Sequence, residues 1–171
     1  MKLANRVLGQ KLALLLATPT LFIAGAGTAS AQPAATADAK ETMAVRHFEN
    51  VHFQKCLDAD TNTGGDGGKV QLWTCGPWNQ QEWDVWPDGH LYNMRFQKCL
   101  DADTNTGGDG GKVQLWTCGP WNQQYWTLRA DGSIYNERFQ RCLDADINTG
   151  GDGGKVQLWR CGPWNQQWWR W

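Results

Sequence analysis

The sequence predicts an all-β domain with threefold internal symmetry, and three observations carry that expectation. First, Phe53–Trp83 returns as Phe96–Trp126 and again as Phe139–Trp169, with a step of 43 residues from Cys56 to Cys99 to Cys142. Phe53–Gln81 and Phe96–Gln124 are identical, and the third copy differs over that span only at Arg141, Ile147 and Arg160. A fixed period of this length marks one supersecondary unit used repeatedly. Second, glycine recurs too often for long helices, and the segments between turns alternate with a period of two. Third, each copy holds two cysteines 19 residues apart: Cys56/Cys75, Cys99/Cys118 and Cys142/Cys161. The identity also extends into a polar loop. Packing alone would fix apolar positions and leave loop residues free, so the loop is expected to do the same job three times.

Residues 1–31 read as an export signal. Lys2, Arg6 and Lys11 give a positive start, Leu12 to Ala26 is an apolar run broken by Pro19, and Ala29-Ser30-Ala31 is a small-residue cleavage site. The competing reading is a helix that stays as an anchor, for which the run is short and interrupted. No other apolar run approaches membrane length, so no membrane insertion is expected. Cleavage removes three of the 16 Lys and Arg and leaves 13 against 17 Asp and Glu. With no basic stripe, nucleic acid is excluded as a partner. Residues 32–46 are Ala-rich with scattered charge and are expected to be a flexible leader.

The repeats are bounded at residues 47–89, 90–132 and 133–171. Each opens with a short apolar-rich segment of strand length: Phe48, Val51 and Phe53, then Leu91, Met94 and Phe96, then Ile134, Glu137 and Phe139. Cys56-Leu57-Asp58-Ala59 is a second strand. Asp60 to Gly68 is a loop whose glycine, Asn and Asp residues supply positive φ and side-chain turn bonds. Lys69-Val70-Gln71-Leu72-Trp73 alternates as a half-buried strand does. Gly76-Pro77 marks a turn, and Gln81 to Val85 alternates again. Pro87-Asp88-Gly89 and Ala130-Asp131-Gly132 close the first two copies as turns. That makes four strands per copy and about twelve in all.

Three copies are too few for a propeller, which needs about four blades, and a sandwich does not demand a threefold repeat. A closed threefold barrel capped by hairpins, the β-trefoil, fits best. The third copy stops just past its last strand, as expected where a symmetric ring closes. Export implies an oxidising compartment, so the six cysteines are expected as disulfides. Of 15 possible pairings, symmetry favours the one inside each copy, each bridge worth roughly 3 kcal/mol in the chain-entropy model. A zinc site is the rival, but close CxxC spacing and a recurring histidine are both missing.

The pattern Cys-Leu-Asp, Val-Gln-Leu-Trp, Cys and Gln-x-Trp, three times in register, resembles the ricin-B-type lectin domain, a family that includes carbohydrate-binding modules of polysaccharide-degrading enzymes. The Gln-x-Trp signature stands as Gln81-Glu82-Trp83, Gln124-Tyr125-Trp126 and Gln167-Trp168-Trp169. The resemblance covers residues 47–171 and implies a site in each copy. A sugar offers a face of C–H groups and a rim of hydroxyls, so it needs a flat aromatic surface beside short polar groups. By resemblance, Asp58, Asp101 and Asp144 accept from two neighbouring hydroxyls, and Trp73, Trp116 and Trp159 offer the stacking face. Asn79 with Gln80, Asn122 with Gln123 and Asn165 with Gln166 complete the rim, joined by Gln71, Gln114 and Gln157. The family usually places Asn directly before the Gln of Gln-x-Trp. Here Gln80 holds that place and Asn79 lies one earlier, so either residue could make the contact. Gln81 is expected to brace the aspartate and Trp83 to fill the core. Trp78, Trp121 and Trp164 are either an extra platform or a packing cap over the disulfide.

Other chemistries fit less well. Asp58 to Asn62 begins like a calcium loop, but Thr63 stands where glycine is needed and Lys69 where the bidentate glutamate belongs. Asp58 and Asp60 suggest a glycosidase pair, yet no glutamate recurs with the period. Ser133 is the only serine after the signal, and His47, His52 and His90 do not recur, so no triad can be assembled three times. Only a leader precedes the repeats and nothing follows Trp171, so no catalytic domain is expected. The expectation is therefore a secreted, monomeric, non-enzymatic lectin without cofactor, with three near-equivalent shallow sites for glycans of cells, viruses or polysaccharide. The alternative is a β-trefoil inhibitor that blocks a protein partner such as a protease, which would need one distinctive loop rather than three near-copies.

Overall fold

The computed structural model describes residues 44–171. The export segment expected over 1–31, and the leader from 32 to 43, lie outside them. The first copy forms β2 (Glu49–Asn50), β3 (Lys55–Ala59), β4 (Gly68–Trp73) and β5 (Trp83–Val85), preceded by β1 (Ala44–Arg46). The second forms β6 (Leu91–Asn93), β7 (Lys98–Ala102), β8 (Gly111–Trp116) and β9 (Trp126–Leu128). The third forms β10 (Ile134–Asn136), β11 (Arg141–Ala145), β12 (Gly154–Trp159) and β13 (Trp169–Arg170). Four strands per copy is thus the observed count.

β1 is additional and corrects the expected leader boundary. Ala44–Arg46 pairs antiparallel with β5, Val45 opposite Asp84. β6 occupies one edge of β5, and the other edge offers unpaired backbone groups that a passing extended segment satisfies.

Each copy is built on a hairpin, β3–β4, β7–β8 and β11–β12. The three hairpins meet because β4, β8 and β12 pair with one another, placing Gly68 opposite Leu115, Gly111 opposite Leu158 and Gly154 opposite Leu72. β5–β6 and β9–β10 link successive copies, and β13–β2 joins the last copy to the first. The ring is closed, and the fold is a β-trefoil.

One core fills it. Leu57, Leu72 and Trp83, with their counterparts Leu100, Leu115, Trp126, Leu143, Leu158 and Trp169, are all buried. The indole N–H of Trp83 donates to the Leu57 carbonyl at 3.0 Å, and Trp126 and Trp169 do the same to Leu100 and Leu143. The tryptophan of Gln-x-Trp is thus a core residue whose one polar atom is satisfied. The disulfides pair within copies: Cys56–Cys75, Cys99–Cys118 and Cys142–Cys161.

Two expected strands are shorter than their sequence suggests. After β2 the chain turns at Val51–Gln54, and Gln54, like Gln97 and Gln140, takes a left-handed conformation with φ near 54°. Gln81 does not begin β5 but ends a single 3-10 turn, Asn79–Gln81, repeated as Asn122–Gln124 and Asn165–Gln167.

The polar loop joins the copies. Asp66 of the first copy accepts from the Thr117 backbone N–H at 2.7 Å and pairs with Lys98 at 2.9 Å in the second. Asp109 reaches Arg160 and Arg141 in the third, and Asp152 returns to Thr74 and Lys55 in the first. Gly64, Gly107 and Gly150 lie against Phe96, Phe139 and Phe53 so closely that a Cβ at Gly64 would sit 1.9 Å from the ring. The loop's shared job is a cyclic clasp.

Candidate functional site

Strand alternation lays out the site. Pairing of β3 with β4 sets Cys56 opposite Trp73, Leu57 opposite Leu72, Asp58 opposite Gln71 and Ala59 opposite Val70. Successive side chains leave a strand on opposite faces. Leu57, Ala59, Val70 and Leu72 enter the core, so Cys56, Asp58, Gln71 and Trp73 share the outer face. The other hairpins have the same register.

Asp58 lies on the floor of this face and is only 2% exposed. Gln71 Nε2 donates to its Oδ1 at 3.2 Å, and Gln81 Nε2 donates to its Oδ2 at 3.0 Å. Gln81 is held in turn, because its Oε1 accepts from the Gly76 N–H and its Nε2 also donates to the Thr74 carbonyl. Asp101 is braced by Gln114 and Gln124, and Asp144 by Gln157 and Gln167. Burial pushes all three carboxyls above the usual aspartate range, while the glutamine hydrogen bonds pull them back only partly. Each carboxylate oxygen has taken one donor and keeps room for another.

A cleft lies over each carboxylate. The first, about 360 Å³, is lined by Asp58, Gln71, Trp73 and Gln80 together with Asp60, Asn62 and Lys69. The second, about 410 Å³, is lined by Asp101, Gln114, Trp116 and Gln123, and the third, about 880 Å³, by Asp144, Gln157, Trp159 and Gln166. Trp73 and Trp116 are 38% and 37% exposed. Each cleft also borrows from a neighbouring copy: Gly153 enters the first, Gly67 the second and Gly110 the third. Lys69, Lys112 and Lys155 close those junctions by donating to the carbonyls of Gly153, Gly67 and Gly110.

The 3-10 turn separates Asn79 from Gln80. Gln80, Gln123 and Gln166 line the clefts. Asn79, Asn122 and Asn165 do not; their side-chain oxygens meet Arg95, Arg138 and His52 instead. Trp78, Trp121 and Trp164 are each partly exposed. Each ring lies on the glycine after a half-cystine, Gly76, Gly119 or Gly162, yet Trp121 and Trp164 also line the second and third clefts.

Sequence reading missed two groups. The loop residues Asp60, Asn62 and Lys69 line the cleft. An Asx turn shapes that loop, with the Asn62 backbone N–H donating to Asp60 at 3.0 Å. Asn50, Asn93 and Asn136 are fully buried and anchor the 3-10 turns by donating to the carbonyls of Gln166, Gln80 and Gln123. Their signal was available, since these asparagines recur at the 43-residue step.

A carboxylate, two amides and an indole in one open cleft, repeated about a threefold ring, agree with what a family comparison finds. The model of the ricin-type β-trefoil lectin domain matches residues 44–169. The chain belongs to that family. Solved structures agree on the fold of this ricin-type lectin domain. A designed threefold-symmetric protein, ThreeFoil, is 22% identical at a TM-score of 0.69, the match covering 74% of this chain and 96% of that one. The agglutinin of Abrus precatorius is 21% identical at 0.65, covering 75% of this chain and about half, 49%, of that one. The C-terminal half of an earthworm R-type lectin, solved in complex with GalNAc, is 15% identical at 0.63, covering 72% and 94%. A comparison with curated protein sequences finds no match.

Proposed function

We propose that this chain is a carbohydrate-binding lectin that engages glycans at three clefts without altering them chemically. The observation that carries the reading is the placement of a braced, buried carboxylate and a half-exposed indole in the same cleft, three times over. The carboxylate oxygens accept from two adjacent hydroxyls, the indole stacks on the C–H face of the pyranose, and Gln71 and Gln80 turn amides toward the rim. The GalNAc complex of the earthworm lectin domain supports this choice of ligand class.

Each cleft is open and shallow, so a single sugar is held weakly. Joint engagement of several sugars raises avidity by about 10²–10⁴ where their spacing fits. Export to an oxidising compartment belongs to the same proposal, supported by three disulfides within a domain whose cysteines are all paired. The test is a glycan array followed by titration calorimetry with the sugars it selects. Binding at up to three equivalents per chain is expected, and an intact protein that binds no carbohydrate would defeat the reading.

A further inference from the structure

The third cleft differs from its two partners. Ile147 stands where the other copies carry Thr61 and Thr104, and Arg160 stands where they carry Thr74 and Thr117. Both residues line this cleft, which is about 880 Å³ against 360 and 410 Å³ for the others. In the first two copies the threonine belongs to the clasp. The Thr74 hydroxyl bonds Asp152, Thr117 bonds Asp66, and each also accepts from the lysine that pairs with that aspartate.

In the third copy the clasp is rearranged. The Arg160 backbone N–H still donates to Asp109 at 2.7 Å. The ion pair that Lys55 and Lys98 make in the other copies is kept by Arg141, whose Nε meets Asp109 at 2.9 Å, and only the hydroxyl contact is lost. That leaves the Arg160 guanidinium outside the clasp, 6.0 Å from the centre of the Trp164 ring. Among the described residues it forms no ion pair. The carboxylates of this cleft, Asp144 and Asp146, have counterparts in the others, Asp58 with Asp60 and Asp101 with Asp103. Its basic side chains are Lys155, spent on the Gly110 carbonyl as its counterparts are, His52, whose ring nitrogen meets Asn165, and Arg160.

We propose that the third cleft selects a sugar that carries a carboxylate, with Arg160 as the residue that recognises it. The proposal rests on the reading of the three clefts as sugar sites. A guanidinium matches a carboxylate with two parallel N–H donors, which a threonine cannot do. Ile147 is 60% exposed and replaces a hydroxyl with apolar surface for ring C–H groups.

Titration calorimetry with methyl β-D-galactopyranoside and methyl β-D-glucopyranoside, each against its 6-carboxylate counterpart, tests this on the wild type, Arg160→Thr and Thr117→Arg. One site per chain is expected to bind a uronate about tenfold tighter than its neutral parent. That gain should vanish in Arg160→Thr and at high salt, while neutral sugar still binds, and Thr117→Arg should add a second uronate-preferring site. A uronate that binds no tighter than its parent, or a preference that survives Arg160→Thr, overturns the proposal and leaves the lectin reading standing. Absence of binding by all four sugars overturns the uronate proposal, while the glycan array decides the lectin reading by itself.

Discussion

Asp58, Asp101 and Asp144 are acceptors held at a cost. Burial makes ionisation less favourable in the folded chain than in the unfolded one. A raised folded pKa means that these groups weaken folding at neutral pH, and that this penalty is relieved as pH falls through the raised values. Asp66 and Asp152 behave oppositely. Lys98 and Lys55 hold them below the usual range, so their contribution is present above the unfolded value and lost as pH drops through the folded one. A protonated carboxyl is a poorer acceptor for sugar hydroxyls. Sugar binding is therefore expected to fail on acidification at a pH above the ordinary aspartate range, while the fold persists; calorimetry and near-UV circular dichroism across the same pH series check both halves. The two tryptophan sets make a second contrast. Trp83→Ala is expected to lose about 3–5 kcal/mol, because it empties the core. Trp73→Ala should change stability by about 0.5 kcal/mol or less yet remove sugar from the first cleft, as denaturant melts and titrations will register.

The hairpins and loops divide the work between site and scaffold. Alternation along β3 and β4 sends one face to the core and the other to the cleft, so a one-residue slip would bury Asp58 among leucines. The clasp loop opposes such a slip by tying each hairpin to the next copy. Its glycines make this contact testable. Gly64→Ala drives a methyl into the Phe96 ring and is expected to cost about 1–3 kcal/mol. Gly65→Ala meets nothing within 4 Å and should stay within about 0.5 kcal/mol of wild type. Equal melting shifts for the two variants would mean that the loop does not press on the neighbouring copy.

Across the whole molecule, the ring sets three clefts around one axis, each closed by a residue of a neighbouring copy. A neutral sugar is expected to lose about one third of its saturating binding in each of Asp58→Ala, Asp101→Ala and Asp144→Ala. Calorimetric stoichiometry reads this directly, and a single substitution that abolished all binding would mean that the clefts are not independent. Much of this plan was legible in the sequence. The 43-residue period determined the threefold ring, the paired cysteines their bridges and the alternation of Lys69–Trp73 a half-buried strand, because each depends on spacing along one chain, while Asp58 and Trp73 were picked out by the family resemblance. Only the tertiary structure decided that Gln80 rather than Asn79 lines the cleft, since one 3-10 turn rotates them apart. The folded ring likewise decided that the polar loop clasps the next copy, that Ala44–Arg46 adds a strand, and that the Arg160 side chain lies outside the clasp and lines the third cleft. Those outcomes depend on partners 32 to 97 residues away along the chain, and no local pattern encodes which of them will meet.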